Sequence, residues 1–366
     1  MKVEREIAGF AFPFAAGVTA AVITAGSPCT TNPTYHIFAW GIILLSSTLL
    51  MHPGRKDWRS GIQWGLIFLC ALSCGGLMGL SGVELRASEI IPDGPLAHLA
   101  SRAGEALQDA VDRIPFGKAS TAGIIKALLT GNREDIPQEV SQAFRNSGAS
   151  HILALSGLHL GIIYMMVVRI LSIIGNTPRR RRIRSVLAIC TCGLYTLATG
   201  AGASIMRAFI FIVIREIGEM TGRHTSLKTV LATALTLHLA FDPGAVSEIG
   251  FQLSYAAMFG IAYIFPYLRD NWKNDWPWLA KIWESAAVSI SCQLTTGPLA
   301  WHYFGTLPQY FLLTNLIAVP LAGVIIPSAL ATVMLTSIGH CPEFLTGITE
   351  SLTTMMVQAL SIIASM

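Results

Sequence analysis

The chain has 366 residues, of which 52% are hydrophobic and 13% charged, and its mean hydropathy is +0.56. A water-soluble domain normally carries about 25% charged residues, so composition excludes an ordinary soluble globular protein. A net charge of +4 and a pI of 8.7 would point to an acidic partner in a soluble protein, but here the Lys and Arg residues sit where membrane topology needs them.

Apolar blocks near the ~17–25 residues needed to cross a bilayer fall at 8–26, 34–51, 60–82, 150–173, 185–201, 203–219, 226–241, 246–265, 282–300 and 345–364, with an overlong block at 309–338. Backbone polar groups cannot stay unpaired in lipid, so such blocks are helices or a closed barrel. Runs of this length without period-two alternation exclude the barrel. The expected fold is all-α, a polytopic transmembrane helix bundle of roughly ten or eleven spans. The first block follows Lys2 and Arg5 and is longer than the apolar region of a signal peptide, so it reads as a retained anchor.

Charge divides the short loops. Arg55, Lys56 and Arg59, then Arg179 to Arg182 with Arg184, then Arg223 and Lys228, then Arg269, Lys273 and Lys281 follow spans two, four, six and eight. The intervening loops at 27–33, 242–245 and 301–308 have no Lys or Arg. The positive-inside rule makes the first set cytoplasmic, with the N-terminus inside and residues 83–149 outside. This gives three parts: an N-terminal three-helix membrane segment at 1–82, an outward-facing amphipathic helical segment at 83–149, and a membrane domain at 150–366. The arginine run at 179–184 reads as a topology determinant in contact with membrane lipids.

In the segment 83–149, Leu96, Leu99, Ala103, Leu107, Ala110, Val111 and Ile114 recur at helical spacing opposite Arg102, Glu105, Asp109 and Asp112. A second helix is expected over 119–130, ending at Gly131, and a third from Pro137 to Gly148. These helices should lie on the outer membrane face or cap the bundle. Seven Lys/Arg against nine Asp/Glu leave the segment acidic, which argues against an independent phosphate clamp. The block 309–338 would run about 45 Å as one helix against a hydrocarbon core of ~30 Å. Asn315, Pro320, Gly323 and Pro327 interrupt it, so a broken or re-entrant helix is expected, with a tilted, proline-kinked span as the alternative.

Polar residues inside spans carry the functional argument, because they are costly there. His151, Ser156 and His159 open the fourth span from outside, and Gln293 and Asn315 lie near the outer ends of two later spans. Together they read as a polar vestibule opening outward, although His151 as a cap, His159 on a neighbouring carbonyl, and Gln252, Gln293 and Asn315 as interhelical glue are the plainer alternatives. Ser204, Arg207, Phe211, Arg215, Gly218 and Glu219 fall within about a 120° arc at 100° per residue, the rest of that circumference being mostly apolar. Such a stripe suits a hydrated path. Arg207 and Arg215 would meet successive phosphates and Phe211 would stack a base. Glu248 and Gln252 open the eighth span at similar depth, and pairing of Arg207 with Glu248 is the structural alternative.

Catalytic and metal motifs are lacking: no H-E-x-x-H, G-x-S-x-G or Walker sequence occurs. Ser156 and His159 share a helix face but have no orienting carboxylate. Cys70, Cys74, Cys190, Cys192 and Cys292 fall in spans without zinc spacing and read as core residues. Gly75-x-x-x-Gly79 and Gly157-x-x-x-Gly161 read as packing faces. No catalytic residue, metal ligand or cofactor is assigned.

The stretch ALLTGNREDIPQEVSQAFRNSGASHILALSGLHLGI at 127–162 resembles the ComEC-type DNA-internalisation family of bacterial competence proteins. SIMRAF at 204–209, FDPGAVSEIGFQLSYAAMFGI at 241–261 and PLAWHYFGTLPQYFLLTNLIAVPL at 298–321 are similar to the later blocks of the same domain, in order. The resemblance covers roughly residues 120–330, and it implies a channel in the bacterial inner membrane that passes single-stranded DNA to the cytoplasm. Many members add an outer-face OB-like domain and a metallo-β-lactamase-like domain. Here a short helical segment stands in the first position, and there is no H-x-H-x-D-H cluster. The expectation is therefore a non-enzymatic channel. A separate nuclease, an OB-fold protein, an outer-face DNA receptor and a cytoplasmic helicase-like ATPase would be its partners. The chain would then be a minimal, split or truncated member. A transporter or assembly scaffold for a different cargo, on the same membrane fold, is the other reading.

The charge alternation makes a topological prediction. On a cysteine-free background, a cysteine replacing Lys118 reacts with a membrane-impermeant thiol reagent in intact cells, and one replacing Pro178 does not. The reverse pattern would invert the topology.

Overall fold

The computed structural model describes residues 2–25, 60–80, 95–175, 177–222, 225–272, 276–305, 307, 309–340 and 342–366. The expected span at 34–51 and the basic cluster Arg55, Lys56 and Arg59 lie outside the described residues, as do Arg223 and Lys273. The described residues are helical, with no strand among them. Four helical stretches, Gly157–Ile174, Ile249–Asn271, Phe311–Ser337 and Glu343–Ala364, are each long and apolar enough to cross a membrane. The chain is a multi-pass membrane protein built as an all-α bundle.

It divides into two compact units, Met1–Ile90 with His224–Tyr263, and Ile91–Arg223 with Ile264–Met366. In the first, α1 (Lys2–Ala25) and α2 (Ser60–Leu80) are in close contact. A Cβ at Gly17 would lie 1.9 Å from the Leu72 carbonyl oxygen, and one at Gly75 would lie 1.9 Å from that of Phe14. Only glycine lets two backbones approach so closely, and this contact realises the packing face expected at Gly75.

The second unit begins with α3 (Pro95–Asp112), α4 (Ala119–Thr130), α5 (Gln138–Asn146) and the single turn α6 (Ser150–Leu153). Then come α7 (Gly157–Leu171), α8 (Pro178–Ala198) and α9 (Ala203–Met220). The first unit contributes α10 (Leu227–Phe241) and α11 (Ile249–Phe259). The second resumes with α12 (Phe265–Asn271), α13 (Pro277–Phe304), α14 (Phe311–Ser337) and α15 (Glu343–Ala364).

The three helices expected in the segment 83–149 fall where periodicity put them, but they belong to the core of the second unit. Nine of the twelve residues of α4 are buried. Ile124, Ile125, Leu128 and Leu129 share one cluster with Phe144, Ile325, Ile326, Met356 and Leu360. Hydrogen bonds fix the assembly: Tyr195 Oη donates to the Leu129 carbonyl at 2.6 Å, Thr314 Oγ1 to that of Ser147 at 2.7 Å, and the Gly117 amide to Glu350 at 3.0 Å. A Cβ at Gly104 would lie 2.3 Å from the Ala198 carbonyl oxygen, which seats α3 against α8.

Two expectations about helix continuity are corrected. The stretch expected to break at 309–338 is one unbroken helix over Phe311–Ser337, with Pro320 and Pro327 inside it. Each proline forfeits one backbone hydrogen bond. However, Ala318, Ala322, Ile325, Ile326 and Ala329 are fully or almost fully buried along the same helix. Interrupting it would strand several backbone groups in an apolar setting, a larger cost than the lost bonds. The break occurs instead inside the expected span 150–173. Ala154 is extended, and Ser156, at φ −128° and ψ 170°, caps α7. Of the five described cysteines, Cys192 is buried but Cys190 is exposed; two residues apart on a helix, they face nearly opposite directions.

Outside the spans, Lys126 is the tightest electrostatic node. Its ammonium lies 2.7 Å from Asp112 and 2.6 Å from Asp135, its own side chain 11% exposed and the two carboxylates about half exposed. These bonds, that to Asp112 first, hold it above the ordinary lysine range against the opposing effect of burial. The node ties the end of α3 and the loop after α4 to α4 itself. Lys126→Met should destabilise the purified protein by about 1–3 kcal/mol, less than a fully buried pair because both carboxylates reach solvent. A raised lysine stabilises fully below its ordinary pKa of about 10.4 and loses that contribution only as pH rises through the raised value. The melting difference between parent and variant should therefore stay constant from about pH 6 to 9.

Candidate functional site

Helices α7, α8 and α9 pack around Leu160, Cys192, Ile205 and Ile212. The turn joining α8 to α9 needs left-handed backbone at Gly200 (φ 81°) and at Ala201 (φ 47°). Ala201 is held there by the hydrogen bond its amide N–H donates to the Thr196 carbonyl oxygen at 2.9 Å. This tight return sets α9 antiparallel to α8 and lays its polar residues along the assembly.

At the start of α7, Ser156 and His159 form a reciprocal cap. The Ser156 amide donates to His159 Nδ1 at 3.3 Å, and Ser156 Oγ lies 3.0 Å from the same nitrogen. His159 thus takes the place that Glu or Gln fills in a capping box. It is fully buried, and its Nε2 has no hydrogen-bond partner. His151 is exposed, with Nδ1 3.1 Å from the Gly148 carbonyl oxygen. Asn315 is half-buried with its Oδ1 enclosed and without a hydrogen-bond partner, and Gln293 is half-buried on α13. Of the vestibule residues, Ser156 and His159 are in direct contact.

Burial divides the stripe on α9. Arg207 is 3% exposed, and Gly218 is also buried. Ser204, Phe211 and Glu219 are half-buried and Arg215 is exposed. The Arg215 guanidinium lies 5.9 Å from the centroid of the Tyr164 ring, a cation–π arrangement between α9 and α7. Glu248 and Gln252 belong to the first unit. Glu248 is the exposed N-cap residue of α11, and Gln252 Nε2 donates to the Val246 carbonyl at 2.9 Å. A Cβ at Gly157 would lie 3.2 Å from Ala208 Cβ, which makes it a packing position, whereas one at Gly161 would meet nothing within 4 Å.

The residue that sequence reasoning missed is Glu216. It lies about 60° beyond the edge of the polar arc, on the face assigned to apolar packing. It is nevertheless 6% exposed, and Tyr164 Oη donates to its Oε1. The signal was available: a carboxylate inside an apolar helical face needs a donor from a facing helix. Periodicity gave no means of finding Tyr164, which is 52 residues away.

Residues 128–366 match the family described as Competence protein. The chain is 29% identical over 222 residues to ComE operon protein 3 of Bacillus subtilis (strain 168), which covers 60% of this chain and 27% of that protein. It is 25% identical over 209 residues to Competence protein ComA of Neisseria gonorrhoeae, covering 56% and 29%. It is 24% identical over 263 residues to Uncharacterized protein YcaI of Escherichia coli (strain K12), covering 70% and 33%. The matched segments thus span a third or less of these relatives. No solved structure matches the chain.

The Tyr164–Glu216 bond generates a stability prediction. Tyr164→Phe leaves a buried carboxylate without its donor and should cost about 1.5–3 kcal/mol, the range for hydrogen bonds to charged groups. Adding Glu216→Gln should recover part of that loss. In thermal unfolding of the detergent-purified protein, the two changes should be non-additive by at least ~0.5 kcal/mol.

Proposed function

Since the chain belongs to the Competence protein family, we propose that it serves DNA uptake in natural transformation as the inner-membrane channel that passes single-stranded DNA into the cytoplasm. Relatives named for competence support the process. The observation that carries the channel is the burial of Arg207, only 3% exposed within the otherwise largely apolar helix α9. Charge at membrane depth is expensive and marks substrate paths. Arg207, with Phe211 one turn on, supplies the pairing of phosphate contact and ring stacking used for sequence-tolerant binding of single strands. In this reading Ser204 extends the path, and His151, Ser156, His159, Gln293 and Asn315 line its outer mouth. The N-terminus is cytoplasmic and the bundle lies in the bacterial inner membrane. No nuclease chemistry is assigned to this chain. A separate nuclease, an OB-fold protein, an outer-face DNA receptor and a cytoplasmic helicase-like ATPase complete the route.

A transporter or assembly scaffold for another cargo draws support from the acidic balance of residues 83–149. Transformation assays separate the two readings. Arg207→Gln should abolish transformation while the protein reaches the membrane in normal amount and DNA still accumulates outside the inner membrane. Normal transformation with Arg207→Gln, or full rescue by adding Glu248→Gln, would overturn the assignment of Arg207 to the DNA path.

A further inference from the structure

The C-terminal half of α7, the N-terminal turns of α8 and the C-terminal end of α9 enclose a cleft of about 180 Å³ within the second unit. At ~30 Å³ per water in the liquid, it has room for a phosphate group and a few waters. Its polar lining is Tyr164, Arg181, Arg184, Ser185, Arg215, Glu216 and Glu219. Arg179, Arg180 and Arg182 are exposed, whereas Arg181 and Arg184 turn inward and are half-buried. Arg181 Nε is enclosed with no hydrogen-bond partner. Arg181 Nη2 lies where a side chain at residue 222 would stand, 2.9 Å from a Cβ on Gly222. Arg184 Nη1 donates to the Gly175 carbonyl at 3.5 Å.

We infer that this cleft is a binding site for the phosphate headgroup of an anionic phospholipid, held by Arg181 and Arg184 with Arg215 at its edge. Three arguments converge. The arginine fork matches a phosphate, and basic pockets between transmembrane helices at the cytoplasmic side recognise such headgroups. The wall below the arginines is apolar, Val168 and Leu171, and Ile170, Ile173 and Ile183 at the same end are 57%, 85% and 46% exposed, as suits contact with acyl chains. Glu216 and Glu219 face the same space, and Glu216 is engaged by Tyr164. Two carboxylates tolerate one phosphate beside three arginines but repel a strand carrying a phosphate at every nucleotide. The site depends on the membrane reading of the chain and is independent of the DNA reading.

The test is native mass spectrometry of the detergent-purified chain with phosphatidylglycerol or phosphatidylcholine. The parent should retain phosphatidylglycerol about tenfold or more tightly than phosphatidylcholine. Arg181→Gln with Arg184→Gln should erase that preference, and Arg179→Gln with Arg182→Gln should keep it. If the inward-facing double variant fails to fold, the single changes Arg181→Gln and Arg184→Gln should each weaken the preference. A preference left intact by the inward-facing changes would overturn the site. Displacement of phosphatidylglycerol from the parent by an oligothymidylate would also overturn it, making the cleft a nucleic-acid contact.

Discussion

Hydrocarbon offers no water to a backbone amide or carbonyl, so every such group at membrane depth must find its partner within the protein. This constraint explains why α14 runs unbroken through two prolines. Two lost hydrogen bonds are a smaller penalty than the several exposed groups that an interruption would leave in an apolar core. It also explains where the chain does break. At Ala154–Ser156 the Ser156 amide is met locally by His159 Nδ1 across the first turn of α7. Proline content alone is therefore a poor guide to interruption here. What matters is whether side chains stand ready to replace the missing backbone bonds.

The same logic governs the charges. Lys126 on α4 is answered by two carboxylates that still reach solvent, so it acts as a staple between α3, α4 and the following loop. Glu216, inside a helical bundle, is answered by the Tyr164 hydroxyl. The inward-facing arginines of the 179–184 run gather around a cleft, while their neighbours point outward. Because of this division, a run that serves topology also supplies a specific site. Successive helical positions differ by 100°, and only some of them can face the cleft.

The helices α3, α4 and α5 show how packing changes the meaning of amphipathicity. They look like surface elements from their charge pattern, and α3 does keep Arg102, Glu105, Asp109 and Asp112 exposed. Yet α4 is enclosed on most sides, because α14 and α15 extend far enough to meet it. Helices outside the expected spans thus share one core with helices inside them. That shared core gives the second unit its largest buried side chains, Phe144 among them.

Local chemistry in the sequence determined the all-α class, the placement of helices α3, α4 and α5, the glycine contact at Gly75 and the concentration of polar residues in a few spans. Each follows from composition or from the 3.6-residue period, which neighbours in space do not alter. The tertiary structure alone decided the partner of Glu216, the burial of Arg207 and the continuity of α14. It also decided which arginines of one run face inward. These depend on the azimuth and depth at which helices far apart in sequence meet. A helical period defines angles about one axis, but it carries no information about which other axis stands opposite.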